Sequence, residues 1–293
     1  MNYEFTNLKK EIHNNNVFIN INQLESILNK YKYISTNSNA FYYVANSIMP
    51  VKVGNLKIGE DTLILNMNHP LNCYCSKKGY CNLCNKCYAK KSSNTYINSC
   101  LYNIAAEINF MKLPVDKIIS DIETVILNNK TPIKFIRFNE AGDFISYKHF
   151  KKANKIATYF KNKYNIISYS YTHNIELEKY ITEINNSNIV INYSYDIKTD
   201  LSVKKCIVIN EQEIKNYVND NNYIICTGSC TNCSYCKNQT DKRTVIFLEH
   251  SKKSINKMLQ DNLNKSDLIK LESKKHINYG NFLLETIKIK RMC

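Results

Sequence analysis

No apolar run in the 293 residues approaches the roughly 20 needed to cross a bilayer, so a membrane-spanning segment is not expected. The N-terminal stretch Met1–Lys10 has no apolar core followed by a small-residue cleavage site, so no signal peptide is expected either. There is no internal repeat, and no low-complexity tract beyond a general bias to asparagine and lysine, which leaves no basis for a repeat architecture. An arginine-rich stripe is also missing, since nearly all the positive charge is lysine. Together these absences predict an intracellular, cytoplasmic chain with no membrane partner. Thiols stay reduced in that compartment, so closely spaced cysteines point to metal or redox chemistry before structural disulfides.

Hydrophobic content is 44%, ordinary for a globular protein, and the length allows one large domain or two smaller ones. The net charge of +15 invites nucleic acid or another anionic partner. It is equally the signature of a chain in which lysine and asparagine are abundant throughout.

Residues 1–60 read as an N-terminal extension, with Leu24, Ile27, Leu28 and Tyr31 at helical spacing and a turn at Asn37–Asn39. From about residue 61 a rhythm of short apolar runs and amphipathic stretches begins. Strands are predicted over 62–67, 134–138, 165–170, 188–193, 206–210, 223–226 and 244–249. Helices are predicted over 94–112, 115–127, 146–160 (capped by Ser146), 176–184 and 211–218. Residues 61–250 thus form a βα domain, and 251–293 a lysine-rich helical tail. Strands alternating with helices imply an α/β fold with a mostly parallel sheet, as an open, partial (β/α)6 barrel or a doubly wound sheet. In either, ligand chemistry belongs at the carboxyl ends of the strands.

Polar clusters fall at those ends: Arg137–Phe144, Tyr169–Asn174 and Asn192–Asp196, besides two cysteine-rich stretches. Gly142 suits a positive φ and a close backbone approach. Asp143 or Glu140 is placed to accept from a ribose hydroxyl or an amine, or Asp143 merely stabilises its turn. His173 is a proton carrier or a solvated loop histidine.

Nine of the twelve cysteines lie in the two stretches, Cys73, Cys75, Cys81, Cys84 and Cys87 after the first βα strand, and Cys226, Cys230, Cys233 and Cys236 after the sixth. Cys81, Cys84 and Cys87 match the first three ligands of a ferredoxin-type run, although Lys91 stands where a fourth would fall. Cys230, Cys233 and Cys236 repeat that spacing. Cys226, Cys230 and Cys233 also have the Cys-x3-Cys-x2-Cys spacing associated with radical S-adenosylmethionine (SAM) enzymes. Zinc competes with iron–sulfur at either stretch, because four thiolates close a tetrahedron and softness alone does not separate the two. Cys100 and Cys206 sit in apolar patterns and read as core packing.

Taken as a set, Asn66–Asn68, Cys73, the Cys84-to-Ala89 segment, Arg137–Phe144, Tyr171–Thr172 and Cys226–Cys236 resemble the phage gene product 88 family. The Cys84–Ala89 segment is also similar to phage radical-SAM-like proteins related to spore photoproduct lyase. The resemblance covers roughly residues 60–250. It implies a radical-SAM-type partial barrel with its cluster loop after the first strand, in the cytoplasm of a host cell. On that basis a [4Fe-4S] cluster is expected on Cys84, Cys87 and one of Cys73, Cys75 or Cys81. Asn139, Asp143, Tyr171, Thr172 and Ser194 are expected to line a SAM or substrate cavity. Cys226, Cys230, Cys233 and Cys236 are expected to hold a second cluster or zinc, and an electron donor is the implied partner. The rival expectations are a zinc-stabilised nucleic-acid-binding protein and an iron–sulfur redox protein without SAM chemistry.

Overall fold

Short apolar runs and amphipathic stretches resolve, in a computed structural model, into eight strands and eight α-helices among the described residues. Those residues are 2–13, 19–33, 39–54, 57–72, 87–174, 176–184, 187–194, 203–217, 220–226, 228–230 and 233–248. The helices are α1 (Asn2–His13), α2 (Ile21–Lys30), α3 (Ala40–Ala45), α4 (Tyr88–Thr95), α5 (Ile97–Lys112), α6 (Val115–Asn128), α7 (Tyr147–Tyr164) and α8 (Leu177–Glu183). The strands are β1 (Lys52–Val53), β2 (Thr62–Leu65), β3 (Phe135–Phe138), β4 (Ile167–Thr172), β5 (Ile189–Ser194), β6 (Lys205–Ile209), β7 (Tyr223–Ile225) and β8 (Thr244–Leu248). The fold is α/β with a mostly parallel eight-stranded sheet in the order β1-β2-β3-β4-β5-β6-β8-β7. The edge strand β1 is antiparallel to β2, whereas β2–β3, β3–β4, β5–β6, β6–β8 and β7–β8 are parallel. No helix among the described residues is long and apolar enough to cross a membrane.

The chain divides into two units, residues 1–53 with 61–190, and residues 54–60 with 191–293. In the first, α5 is the central element, with Cys100, Leu101, Ile104, Ala105 and Ile108 all fully buried. Leu8 and Ile12 of α1, Leu24, Ile27 and Leu28 of α2, and Ala40 at the start of α3 close around it in one apolar cluster. The α2 helix starts at a capping box, with the Asn20 side chain accepting from the Gln23 amide and the Gln23 side chain from the Asn20 amide. In the second unit, β5 is buried from Ile189 to Tyr193 (its first two residues belonging to the first unit), as a strand covered on both faces should be.

Several predicted elements change their limits. The helix expected over 94–112 is two, because Tyr96 is extended (φ −116°, ψ 111°) and separates α4 from α5. The fourth strand begins at Ile167 because Asn165 is taken as the left-handed cap of α7, at φ 54°. Ser146 does cap α7, accepting from the His149 amide at 3.3 Å. The helix expected over 211–218 is a 3-10 turn, Glu211–Asn216. The turn at Asn37 and the helical tail lie outside the described residues.

Candidate functional site: a polar strand-end network and a thiol knot

In the first unit the carboxyl ends of β2, β3 and β4 lead into three segments that lock onto one another. Asn66 gives its Nδ2 to Asn103 Oδ1 (2.9 Å), and its Oδ1 accepts from the Ala141 amide (3.2 Å). Asn68 Oδ1 accepts from the Asp143 amide at 2.9 Å. Asn139, at φ +57°, donates its amide to Leu65 O (3.0 Å) and accepts from the Met67 amide through Oδ1 (3.2 Å). Gly142 has φ +92°, and a Cβ there would meet Asn68 O and Oδ1 at 2.4 Å. The close backbone approach expected of this glycine is real, and what it approaches is the loop after β2.

Asp143, 2% exposed, accepts from the Thr172 hydroxyl (2.6 Å), the His173 amide (2.7 Å) and the Phe144 amide (2.7 Å). Burial pushes its pKa up, while His173, Thr172 and the two amides pull it down. Three donors with no acceptor are the environment of an ionised carboxylate. Thr172 Oγ1 in turn accepts from the Asn174 amide (3.0 Å), and Asn174 Nδ2 donates to Phe144 O (2.9 Å). Asn139 and the Asp143–Thr172 pair thus tie together the ends of β2, β3 and β4. Asn139 Nδ2 and His173 Nε2 of this network are buried without a hydrogen-bond partner among the described residues. Tyr171 lies one residue before Thr172, under the Arg137 guanidinium at 5.1 Å from its ring centre.

Reasoning from the sequence missed the anchor of the segment that leads into the first cysteine stretch. Glu107 of α5, 2% exposed, accepts from the His69 amide (2.8 Å) and from Asn72 Nδ2. Asn72 Oδ1 accepts from the Ile19 amide at 2.9 Å. Cys100, expected as mere packing, has His69 Nε2 at 3.3 Å from its sulfur, and burial pushes its thiol up to about 12. The available signal was the pair Asn103 and Glu107, polar residues one turn apart in an otherwise apolar helix. A second missed group is Lys52, whose Nζ sits 3.7 Å from the Tyr102 ring centre. Burial lowers the Lys52 pKa and Glu140 opposes that; burial, then Tyr43 and Glu140, raise that of Tyr102. Of the first cysteine stretch, Cys73, Cys75, Cys81 and Cys84 lie outside the described residues, and Cys87 immediately precedes α4.

In the second unit the cysteines converge. Cys226 continues β7, donating its amide to Ile246 O at 2.8 Å, and its sulfur accepts from the Gly228 amide at 3.4 Å. Cys230 donates its amide to Lys57 O (2.7 Å). The turn Tyr235–Lys237 carries Cys236, whose carbonyl accepts from Asn192 Nδ2 at 2.9 Å. Cys226 is electrostatically coupled to Cys236, Cys230 and Cys233. Cys206 of β6 joins them, its thiol in hydrogen-bond contact with that of Cys236. Cys206 lies in the apolar core, as expected. Ser194 also belongs here, as the register partner of Cys206 across β5 and β6.

Two lysines, each 4% exposed, lie among these thiols. Lys204 Nζ donates to Tyr235 O and to Asn238 O (2.7 Å), and Lys237 Nζ donates to Cys230 O (3.3 Å). Lys204 makes no ion pair among the described residues. Its charge is felt at Cys236, Asp241 and Cys206, and Asp241 is itself held by Arg243 at 2.7 Å. Burial pushes the Cys226 thiol up to about 12 and raises Cys206 and Cys233 as well. The donor chemistry suits a soft metal, with thiols only and buried cations to offset thiolate charge. The ligand set is not closed, since no three His, Cys, Asp or Glu side chains among the described residues are arranged to hold one metal ion.

A family model described as Gene product 88 matches residues 47–264. No curated protein matches the chain, and no solved structure does.

Proposed function

We propose that this chain, which belongs to the Gene product 88 family, is an iron–sulfur, radical-SAM-like enzyme whose parallel strands act as a partial (β/α)6 barrel. The observation that carries the metal assignment is the second cysteine stretch, where Cys226, Cys230, Cys233 and Cys236 follow β7 and the buried Lys204 holds the turn that carries Cys236. A buried ammonium group needs an anionic partner. Asp241, itself paired with Arg243, acts on Lys204, and metal-bound thiolates would add negative charge beside it. A four-thiolate site at zinc or at a [4Fe-4S] cluster carries net negative charge that Lys204 and Lys237 offset.

The primary cluster is assigned to Cys84, Cys87 and one of Cys73, Cys75 or Cys81. What supports this is the place of that stretch directly after β2, within a series of parallel strands. When bound, such a cluster supplies one-electron reduction of the sulfonium of SAM. The chain's own residues do the positioning. Glu107 and Asn72 fasten the segment entering the cysteine stretch to α5 and to Ile19. Asn139 Nδ2 and His173 Nε2 are the polar atoms that the β2–β3–β4 network leaves for a ligand, the first as a donor. Asp143 holds the backbone of His173 through its amide, and the Met67 amide holds Asn139 Oδ1.

The test is anaerobic purification of the full chain with iron, sulfide and zinc analysis. Iron and acid-labile sulfide in cluster stoichiometry are expected, together with reductive cleavage of SAM by the reduced protein. A chain that holds zinc alone and never reconstitutes a cluster overturns the iron–sulfur assignment. A chain that holds a cluster yet leaves SAM intact under reduction is an iron–sulfur redox protein instead.

A further inference from the structure

We propose that Lys52 and Tyr102 form a binding site for an oxyanion, the carboxylate or phosphate group of a small molecule, at the β1 edge of the first unit's sheet. The site stands apart from the cysteine stretches and does not depend on a cluster. Lys52 lies on β1 in register with Ile64 of β2, and Ile64 is in register with Arg137 of β3. Residues in register project to one face of a sheet, so Lys52 and Arg137 put two cations on the same face. Tyr102 reaches Lys52 from α5. The hydrogen bond from Asn66 to Asn103, the next residue, fastens that turn of α5 to the end of β2. Tyr43 packs edge-on against the Tyr102 ring, with 6.0 Å between ring centres.

Lys52 and Tyr102 each bring a donor that the described residues leave without an acceptor. The Lys52 ammonium lies over the Tyr102 ring, 3.7 Å from its centre, and makes no ion pair among those residues. Tyr102 Oη is buried with no hydrogen-bond partner among them. An ammonium group only donates, and a phenol hydroxyl donates to any acceptor in reach. A negatively charged oxygen answers both needs. A cation seated over a tyrosine ring is near enough to the hydroxyl for one oxyanion to accept from the two, at about 2.8 Å from each. Burial lowers the Lys52 pKa, and Glu140 opposes that. Glu140 acts on Lys52 and on Tyr102 from a distance and bonds to neither. The acceptor for these two donors is therefore a group that binds.

The experiment titrates the full chain with inorganic phosphate and with acetate, against chloride at equal ionic strength. Phosphorus and proton NMR line widths report binding, and the midpoint of thermal unfolding reports stabilisation. At least one of the two anions is expected to bind and to raise the midpoint beyond chloride, and which one does so tells phosphate from carboxylate. Tyr102→Phe removes one hydroxyl and no charge, and Lys52→Met keeps an apolar stem beside the ring. Each is expected to weaken binding about tenfold, the size of one hydrogen bond to a charged group. In chloride, Tyr102→Phe should melt no lower than the unaltered chain, because the hydroxyl it loses has no partner there. In saturating anion it should melt lower. Full affinity in Tyr102→Phe overturns the proposal, since the anion is then drawn by the net charge of +15 and not by this site. Failure of both anions to bind beyond chloride overturns it as well. So does an equal drop in the melting of Tyr102→Phe with and without anion, which would give the hydroxyl a partner within the chain.

Discussion

Asp143 in the first unit and Lys204 in the second are both buried ionisable groups, 2% and 4% exposed. Their surroundings are opposite in kind. Asp143 receives three donors from the backbone and a threonine hydroxyl, all from the loops it joins. Fixed protein dipoles settle that charge, and the chain needs nothing from outside to bury it. Lys204 gives hydrogen bonds to two carbonyls, and burial lowers its pKa against Cys236, Asp241 and Cys206, which raise it. Carbonyl dipoles solvate an ammonium group without cancelling its charge. The first charge is settled by the loops that carry it, whereas the second meets carbonyls and a more distant carboxylate.

That contrast breaks at Gly142 if it breaks anywhere in the first unit. Gly142→Ala places a methyl group against the Asn68 carbonyl and side chain at a positive φ. The expected cost is about 4 kcal/mol, from steric overlap on top of left-handed strain. Urea unfolding measures it, and a loss below about 1 kcal/mol would mean that the interlock between the loops after β2 and β3 is loose.

A smaller effect is expected with acid. His149 packs edge-on against Phe110 at 4.7 Å, and its Nε2 lies 3.2 Å from Met67 O. Its Nδ1 is buried with no partner. Burial lowers its pKa from 6.5 to about 4, against the pull of the Met67 carbonyl. Below pH 6.5 the unfolded chain therefore takes a proton that the folded chain refuses. The stability that neutral His149 contributes is complete above pH 6.5 and is lost as the pH falls to about 4. The loss amounts to about 3 kcal/mol. Denaturant midpoints measured across that range should slope for the unaltered chain and flatten for His149→Gln. Parallel slopes would assign the acid sensitivity to another group.

The smallest of these effects sharpens the second region. Lys204→Met removes the cation while keeping a long apolar stem. Metal retention against a competing chelator should weaken about tenfold, the size typical of a lost group outside the ligand shell. Unchanged retention would show that the lysine serves only the Tyr235–Asn238 turn, and the contrast with Asp143 would then lose its functional meaning.

Much of the frame was legible from residue patterns. Strand positions emerged from buried runs such as Ile189–Tyr193, and the start of α7 from Ser146. Where the reading slipped, a local choice was overruled by a neighbour. Asn165 went to a helix cap and not to a strand, because asparagine tolerates the left-handed conformation that closes α7. Tyr96 broke a helix that periodicity alone runs through. Asn139, Asp143 and Thr172 were singled out from their position at strand ends, where the structure ties Asn139 to Met67 and Asp143 to Thr172. Glu107, Asn72 and Lys52 were not found, because each matters through a partner 35 or more residues away, or through an aromatic ring brought up by the fold.

The sequence by itself determined the α/β class, the order of strands and helices, and the two cysteine stretches, since these depend on periodicity and spacing along a few turns of chain. Tertiary structure alone decided that Cys206 stands with Cys236, that Gly142 faces Asn68, and that α1, α2 and α3 close around α5. The physical reason is register. Which side chains meet across a parallel sheet follows from how its strands align, and a shift of one residue would turn Cys206 to the opposite face.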